Sequence, residues 1–220
     1  MKKFKIFFGF AMIILFSSRL VASDWIKLKP NQDNNSKYFE LLSSDISTFT
    51  IHFHLSGFWK KTVNTSRGKA WLISDRNAAS ILRKGAPDLP LFATSLIIPD
   101  EAAMEVALVS LRYKEFKNVL MVPSKGNLPR TINPAGVSYE FGAQYRHNKN
   151  YPGKIGKLRK PYIIRDFRGQ ALLIQPFQYN PITKILRVYY DVTVEVKQKG
   201  ISKVNVLKRL QPLKKIDSRF

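Results

Sequence analysis

Lys184-Ile185-Leu186-Arg187-Val188-Tyr189-Tyr190-Asp191-Val192-Thr193-Val194-Glu195-Val196-Lys197 is the stretch on which the fold turns. Leu186, Val188, Tyr190, Val192, Val194 and Val196 fall on one side of a period-two pattern; Arg187, Tyr189, Asp191, Thr193 and Glu195 fall on the other. Such alternation belongs to a strand with one packed face and one wet face. A second extended run, Gln170 to Tyr179, precedes it across a short Asn180-Pro181-Ile182-Thr183 connection, and the pair predicts a long antiparallel hairpin.

Further strands are expected upstream. Phe49, Ile51, Phe53 and Leu55 alternate with Thr48, Thr50, His52 and His54; Ala70 to Ser74, Leu91 to Ile98 and the alternation of Met104, Val106 and Leu108 give three more. Val119 to Val122 is a short apolar run, and Asn77 to Lys84 reads as one helical turn or a loop. Many short strands and almost no sustained helical period predict an all-β, single-domain antiparallel β-sandwich with a projecting proline-rich loop. Its expected limits are 48–197, after a polar segment 24–47 with a loop at Pro30–Ser36. Residues 133–160 read as a long surface excursion and 198–220 as a basic tail, with membrane-surface binding as its alternative.

The projecting loop is Pro123-Ser124-Lys125-Gly126-Asn127-Leu128-Pro129-Arg130-Thr131-Ile132-Asn133-Pro134. Three prolines fix φ and remove donors, so neither helix nor central strand fits, and Gly126 permits a tight reversal. A stiff loop holding one long cation beside a proline suits recognition, because less ordering is left for binding to impose.

Composition narrows the chemistry. Lys2, Lys3 and Lys5, the apolar run Ile6 to Phe16 and the small residues near Ala22 and Ser23 read as an export signal over 1–23. The apolar run is short for a membrane span, so no anchor is expected after cleavage and the product is placed in the periplasm or outside the cell. The 220 residues contain no cysteine, which excludes disulfides, thiolate metal sites and a cysteine nucleophile. The formal charge of +22 falls to about +18 without Lys2, Lys3, Lys5 and Arg19, and such a surplus favours acidic partners. Export argues against nucleic acid.

No catalytic constellation, cofactor motif or metal set stands out. His52 and His54 lie two apart on one strand face, but no third ligand accompanies them. Arg165, Asp166 and Arg168 form a dense charge cluster read as a surface or turn ion-pair network of the scaffold.

Gly85-Ala86-Pro87-Asp88-Leu89-Pro90, Tyr139 to Gly142, Tyr151-Pro152, Arg165 to Gln170 and Pro176 to Pro181 running on through Tyr189 flank the loop in a fixed order. Together they resemble the N-terminal propeptide of the gingipain-type cysteine peptidases, over roughly residues 70–197. The resemblance implies a β-sandwich that holds a peptidase latent and assists its folding. The peptidase activity of that family resides in a separate domain with a Cys–His pair, expected beyond Phe220, so no enzymatic activity is carried over and no cofactor is expected.

In arginine-specific members the resemblance implies that a loop arginine enters the specificity pocket, and Arg130 occupies that position here. A guanidinium would satisfy a buried carboxylate through two parallel bonds, with Leu128 and Pro129 in adjoining subsites and Lys125, Gly126 and Thr131 completing the contact. Lys125 is the competing bait for a lysine-preferring peptidase. Expected is a monomer facing a gingipain-type catalytic domain, supplied in trans or from a split gene. Two alternatives stay open: an inactive remnant of a truncated precursor, and a basic β-sandwich binding anionic surfaces or glycans through Trp59, Trp71 and Tyr145.

Overall fold

The structure is a computed structural model that describes residues 23–28 and 37–208. The expected signal peptide up to residue 22, the Pro30–Ser36 loop and the tail from 209 onward lie outside the described residues.

The described residues form thirteen strands: β1 Ser23–Lys27, β2 Phe39–Ser44, β3 Thr48–His54, β4 Gly57–Thr65, β5 Gly68–Ser74, β6 Ala79–Ser80, β7 Pro90–Ile97, β8 Ala102–Phe116, β9 Gly156–Leu158, β10 Tyr162–Ile164, β11 Phe167–Ile174, β12 Phe177–Asn180 and β13 Ile185–Ile201. Two short 3-10 turns, Pro134–Gly136 and Ala143–Arg146, are the only helical pieces among them. Every strand-to-strand ladder is antiparallel, and the fold is all-β. Among the described residues no helix is long and apolar enough to cross a membrane.

One large sheet runs β12-β13-β3-β2, with β8 on the other edge of β13; the second runs β10-β11-β7-β6, with β9 beside β11; β1-β4-β5 make a third. Inner residues of the two large sheets meet in one core: Ile51, Phe53, Val192, Val194 and Val196 from one, Phe92, Leu172 and Ile174 from the other. Phe53 and Phe92 join them ring to ring at 5.2 Å, a contact worth on the order of 1 kcal/mol beyond area burial. Phe58 of β4 closes the end of the core edge-on to Phe177 at 5.4 Å.

Within residues 184–197 the diagnostic strand departs from strict alternation at one point. Tyr189 lies opposite Tyr113 of β8 and Asp191 opposite Arg112, so Tyr190 is an extra, bulged residue. The bulge shifts the phase: Tyr189, expected to be wet, is buried with its hydroxyl donating to Gln178 Oε1 at 2.9 Å. The expected partner run Gln170–Tyr179 is not one strand. Pro176 breaks it, the chain changes sheet there, and only Phe177–Asn180 pairs with β13. The segment 24–47, read as polar, supplies β1 and β2, which ladder onto β4 and β3. The 133–160 excursion is partly interior, with Tyr145 and Ile155 in the core; Tyr145 is thus unavailable as a stacking platform.

Candidate functional site

Met121, Val122, Pro123 and Ser124 are buried and feed the proline loop from a fixed start. Trp71 of β5 brackets them on one side, its N–H donating to Leu120 O at 2.7 Å and its carbonyl accepting from Val122 N at 3.0 Å. On the other side Asp88 N donates to Val122 O at 2.9 Å and Ser124 N to Ala86 O at 2.7 Å. From below, Tyr145 donates to Met121 O at 2.8 Å and Tyr179 to Val119 O at 2.9 Å. Burial pushes the Tyr179 phenol up to about 12 and the Tyr145 phenol up as well, so both remain donors at neutral pH.

Gly85 fastens both ends of the loop. Its N–H donates to Ser124 O at 2.9 Å, where the loop leaves, and its carbonyl accepts from Gly142 N at 2.8 Å, where it returns. The approach needs glycine on both sides: Gly85 has φ +76°, and a Cβ on Gly142 would stand 2.9 Å from Gly85 O. Asp88, three residues after Gly85, is half-buried. Burial raises its carboxyl pKa, partly offset by a hydrogen bond with Ser80.

Within the loop the two candidate cations part company. Lys125 folds back, Nζ donating to Pro134 O at 2.6 Å and lying 4.3 Å from the Tyr139 ring centre. It therefore ties the neck of the loop. Beyond it, Ile132 N donates to Pro129 O at 3.0 Å, which makes Pro129–Ile132 a β-turn with Arg130 and Thr131 at its apex. Asn133 Oδ1 then accepts from Ala135 N at 3.0 Å and caps the Pro134–Gly136 turn. Pro129, Arg130 and Thr131 are exposed, whereas Lys125, Gly126 and Leu128 are half-buried. Among the described residues no hydrogen bond, ion pair or ring contact engages the Arg130 guanidinium.

Two further braces went unread in the sequence. Arg67, at the β4–β5 turn, lies 4.4 Å from the Phe141 ring centre and 5.9 Å from that of Tyr145. Lys84 pairs with Glu140 at 3.1 Å, an exposed contact worth well under about 1 kcal/mol. The Gly85–Pro90 and Tyr139–Gly142 clusters hinted at the junction; nothing local marked Arg67.

The other candidate sites resolve into scaffold. His52 Nε2 is 3.0 Å from Asp191 Oδ1, and its Nδ1 is 3.8 Å from Glu40 Oε2, on the polar face of the sheet. Among the described residues no group of three or more metal-ligating side chains could hold an ion. Arg168 is not part of a surface ion-pair network. It is buried and donates to four main-chain carbonyls: Pro99 at 2.9 Å, Ala102 at 2.7 Å, Val204 at 3.0 Å and Asn205 at 2.7 Å. It thereby clamps the chain after β13 onto the β7–β8 turn.

Residues 30–214 match the family model described as Propeptide_C25. The chain is 36% identical over 186 residues to gingipain R2 of Porphyromonas gingivalis, covering 84% of this chain and 25% of that protein. It is 37% identical over 169 residues to gingipain R1 of the same organism, covering 77% of this chain and 17% of that protein. It thus spans a quarter or less of the curated relatives it matches. Among solved structures, a chain from the complex of Porphyromonas gingivalis RgpB pro- and mature domains superposes with TM-score 0.73 at 36% identity, covering 76% of this chain and 88% of that one. A chain from a study of the zymogenic latency of gingipain K shares the fold at TM-score 0.66 and 19% identity, covering 81% of this chain and 100% of that one.

Proposed function

The chain belongs to the C25 propeptide family, the propeptides of gingipain-type cysteine peptidases, and from that membership we propose that it inhibits such a peptidase and assists its folding. The proline loop fills the substrate cleft, and Arg130 enters the specificity pocket as a bait that is held rather than cut. The chain itself performs no catalysis. Its partner is a gingipain-type catalytic domain, met in trans or encoded in a split gene, and it acts as an exported monomer in the periplasm or outside the cell.

One observation carries the reading: an exposed guanidinium at the apex of a turn whose base is fastened on both sides by Gly85. An arginine-selecting pocket rewards that arrangement, since two charge-assisted bonds form with little loop ordering left to oppose them. The tied Lys125 ammonium favours Arg130 over Lys125 as the bait. The relative solved as a complex of pro- and mature domains supports the choice of partner.

The test is titration of the purified chain against an arginine-specific gingipain-type peptidase. Inhibition by the parent is expected, and Arg130→Ala should raise the inhibition constant at least about tenfold, on the order of 1.4 kcal/mol. Equal constants for the two would remove Arg130 from the mechanism. A parent that does not inhibit at all would favour an inactive remnant.

A further inference from the structure

β8 carries an apolar stripe that its own fold leaves partly exposed. Residues directly opposite in an antiparallel pair point to the same face. Val106 lies opposite Val196, Leu108 opposite Val194, Leu111 opposite Val192 and Tyr113 opposite Tyr189, and all four partners are buried. Val109 is an extra residue between Leu108 and Ser110, and this bulge keeps Leu111 and Tyr113 in phase with Val106 and Leu108. The stripe thus lies on the core-facing side of the sheet. Yet Leu108 is 45% exposed, Leu111 38% and Tyr113 48%, the last with the Arg187 guanidinium 4.3 Å from its ring centre. The reverse face of β8, with Glu105, Ser110 and Arg112, is the polar one.

The same strand is a sheet edge. β13 takes one side of β8, and among the described residues no strand pairs with the other. β9 is likewise paired on one side only, with β11. The two edges converge where a Cβ on Gly156 would lie 3.4 Å from Val106 Cγ2, and from there they open into a cleft of about 1100 Å³. Met104, Val106 and Leu158 supply apolar lining, while Lys149, Lys154 and Lys157 stand around it and are exposed. Its one carboxylate, Glu105, is paired with Lys199 at 2.9 Å.

We infer that β8 accepts an additional strand from a partner protein: an extended segment alternating apolar and acidic residues, laid along the free edge and into the cleft. Its main chain takes up the unpaired donors and acceptors of β8, its apolar side chains cover the Leu108–Leu111–Tyr113 stripe, and its carboxylates meet the three lysines. Charge selects the occupant. Residues 1–22 of this chain carry four cations and no acid, and 209–220 carry Arg209, Lys214, Lys215 and Arg219 against Asp217. A second copy would bring another formal +22. The lysines repel all three, which favours an acidic segment from outside these 220 residues. This surface does not involve Arg130 and stands or falls apart from it.

The probe is a short fluorescein-labelled peptide alternating valine and glutamate, titrated into the full chain by fluorescence anisotropy at low salt. Saturable binding is expected. It should weaken at least about tenfold on raising salt from about 50 to about 300 mM, and similarly for the exposed triple variant Lys149→Ser, Lys154→Ser, Lys157→Ser. A peptide N-methylated on one edge, which keeps its charge but cannot pair with a strand, should bind at least about tenfold more weakly. Equal binding of the two peptides would reduce the site to a basic surface and overturn the inference, as would no binding at all. Retention on phosphatidylglycerol vesicles that is lost in the triple variant, without preference for the pairing peptide, would assign the surface to membranes instead.

Discussion

Arg168 is buried with its guanidinium committed to four main-chain carbonyls, whereas Arg130 is exposed at the apex of its loop and, among the described residues, engages none. The Arg168 site is complete: removing the side chain leaves acceptors stranded. On the proposed function the Arg130 site is half of one, to be completed by the pocket of a peptidase. Locally the two look alike, each a cation next to a turn-forming residue, Pro129 or Gly169. What separates them is whether the surrounding main chain has carbonyls to satisfy.

The contrast can be broken most forcefully at the buried end. Arg168→Met should lower the free energy of unfolding by about 3 kcal/mol in a denaturant titration, because several carbonyls lose a charged donor together. A loss under about 1 kcal/mol would mean that water replaces the guanidinium and that the clamp is dispensable.

Asp88→Asn tests the base of the loop. Burial raises the Asp88 carboxyl pKa, so the folded chain binds that proton more tightly than the unfolded chain does. Stability is therefore lost as pH climbs above the ordinary carboxylate value near about 4, and the loss is complete once pH passes the folded-state value. The amide should accordingly stabilise the chain by about 1 kcal/mol at neutral pH and by almost nothing below about pH 4, checked by urea titrations at both. Lys125→Met removes the tie across the neck and should weaken inhibition about threefold, about 0.6 kcal/mol, in the same peptidase assay. The smallest effect sharpens the contrast from the exposed end: Arg130→Ala should leave unfolding free energy within about 0.5 kcal/mol of the parent.

Much of the fold was legible because burial writes itself as alternation. Ile51 and Phe53, and Val192, Val194 and Val196, are where the period-two pattern puts them. The pattern fails where geometry is non-local. A bulge such as Tyr190 leaves no local mark, since either tyrosine can sit on either face. β2 is almost wholly exposed and so has no alternation to read. Prolines announced a stiff loop, but that Lys125 ties it and Arg67 stacks behind it depends on elements brought together only by folding. Arg168 was misread for the same reason: its partners are carbonyls, to which any residue contributes alike.

The junction of Gly85 with Gly142 has a kinetic consequence. Main chain rests there on main chain, so no rotamer change can slacken it, and the loop reaches an encounter already in shape. Association with a cleft should then run at the rate set by collision and charge steering, nearly indifferent to changes at the tip. Differences among tip variants would appear as residence time, with each lost contact shortening the life of the complex and leaving its formation almost untouched.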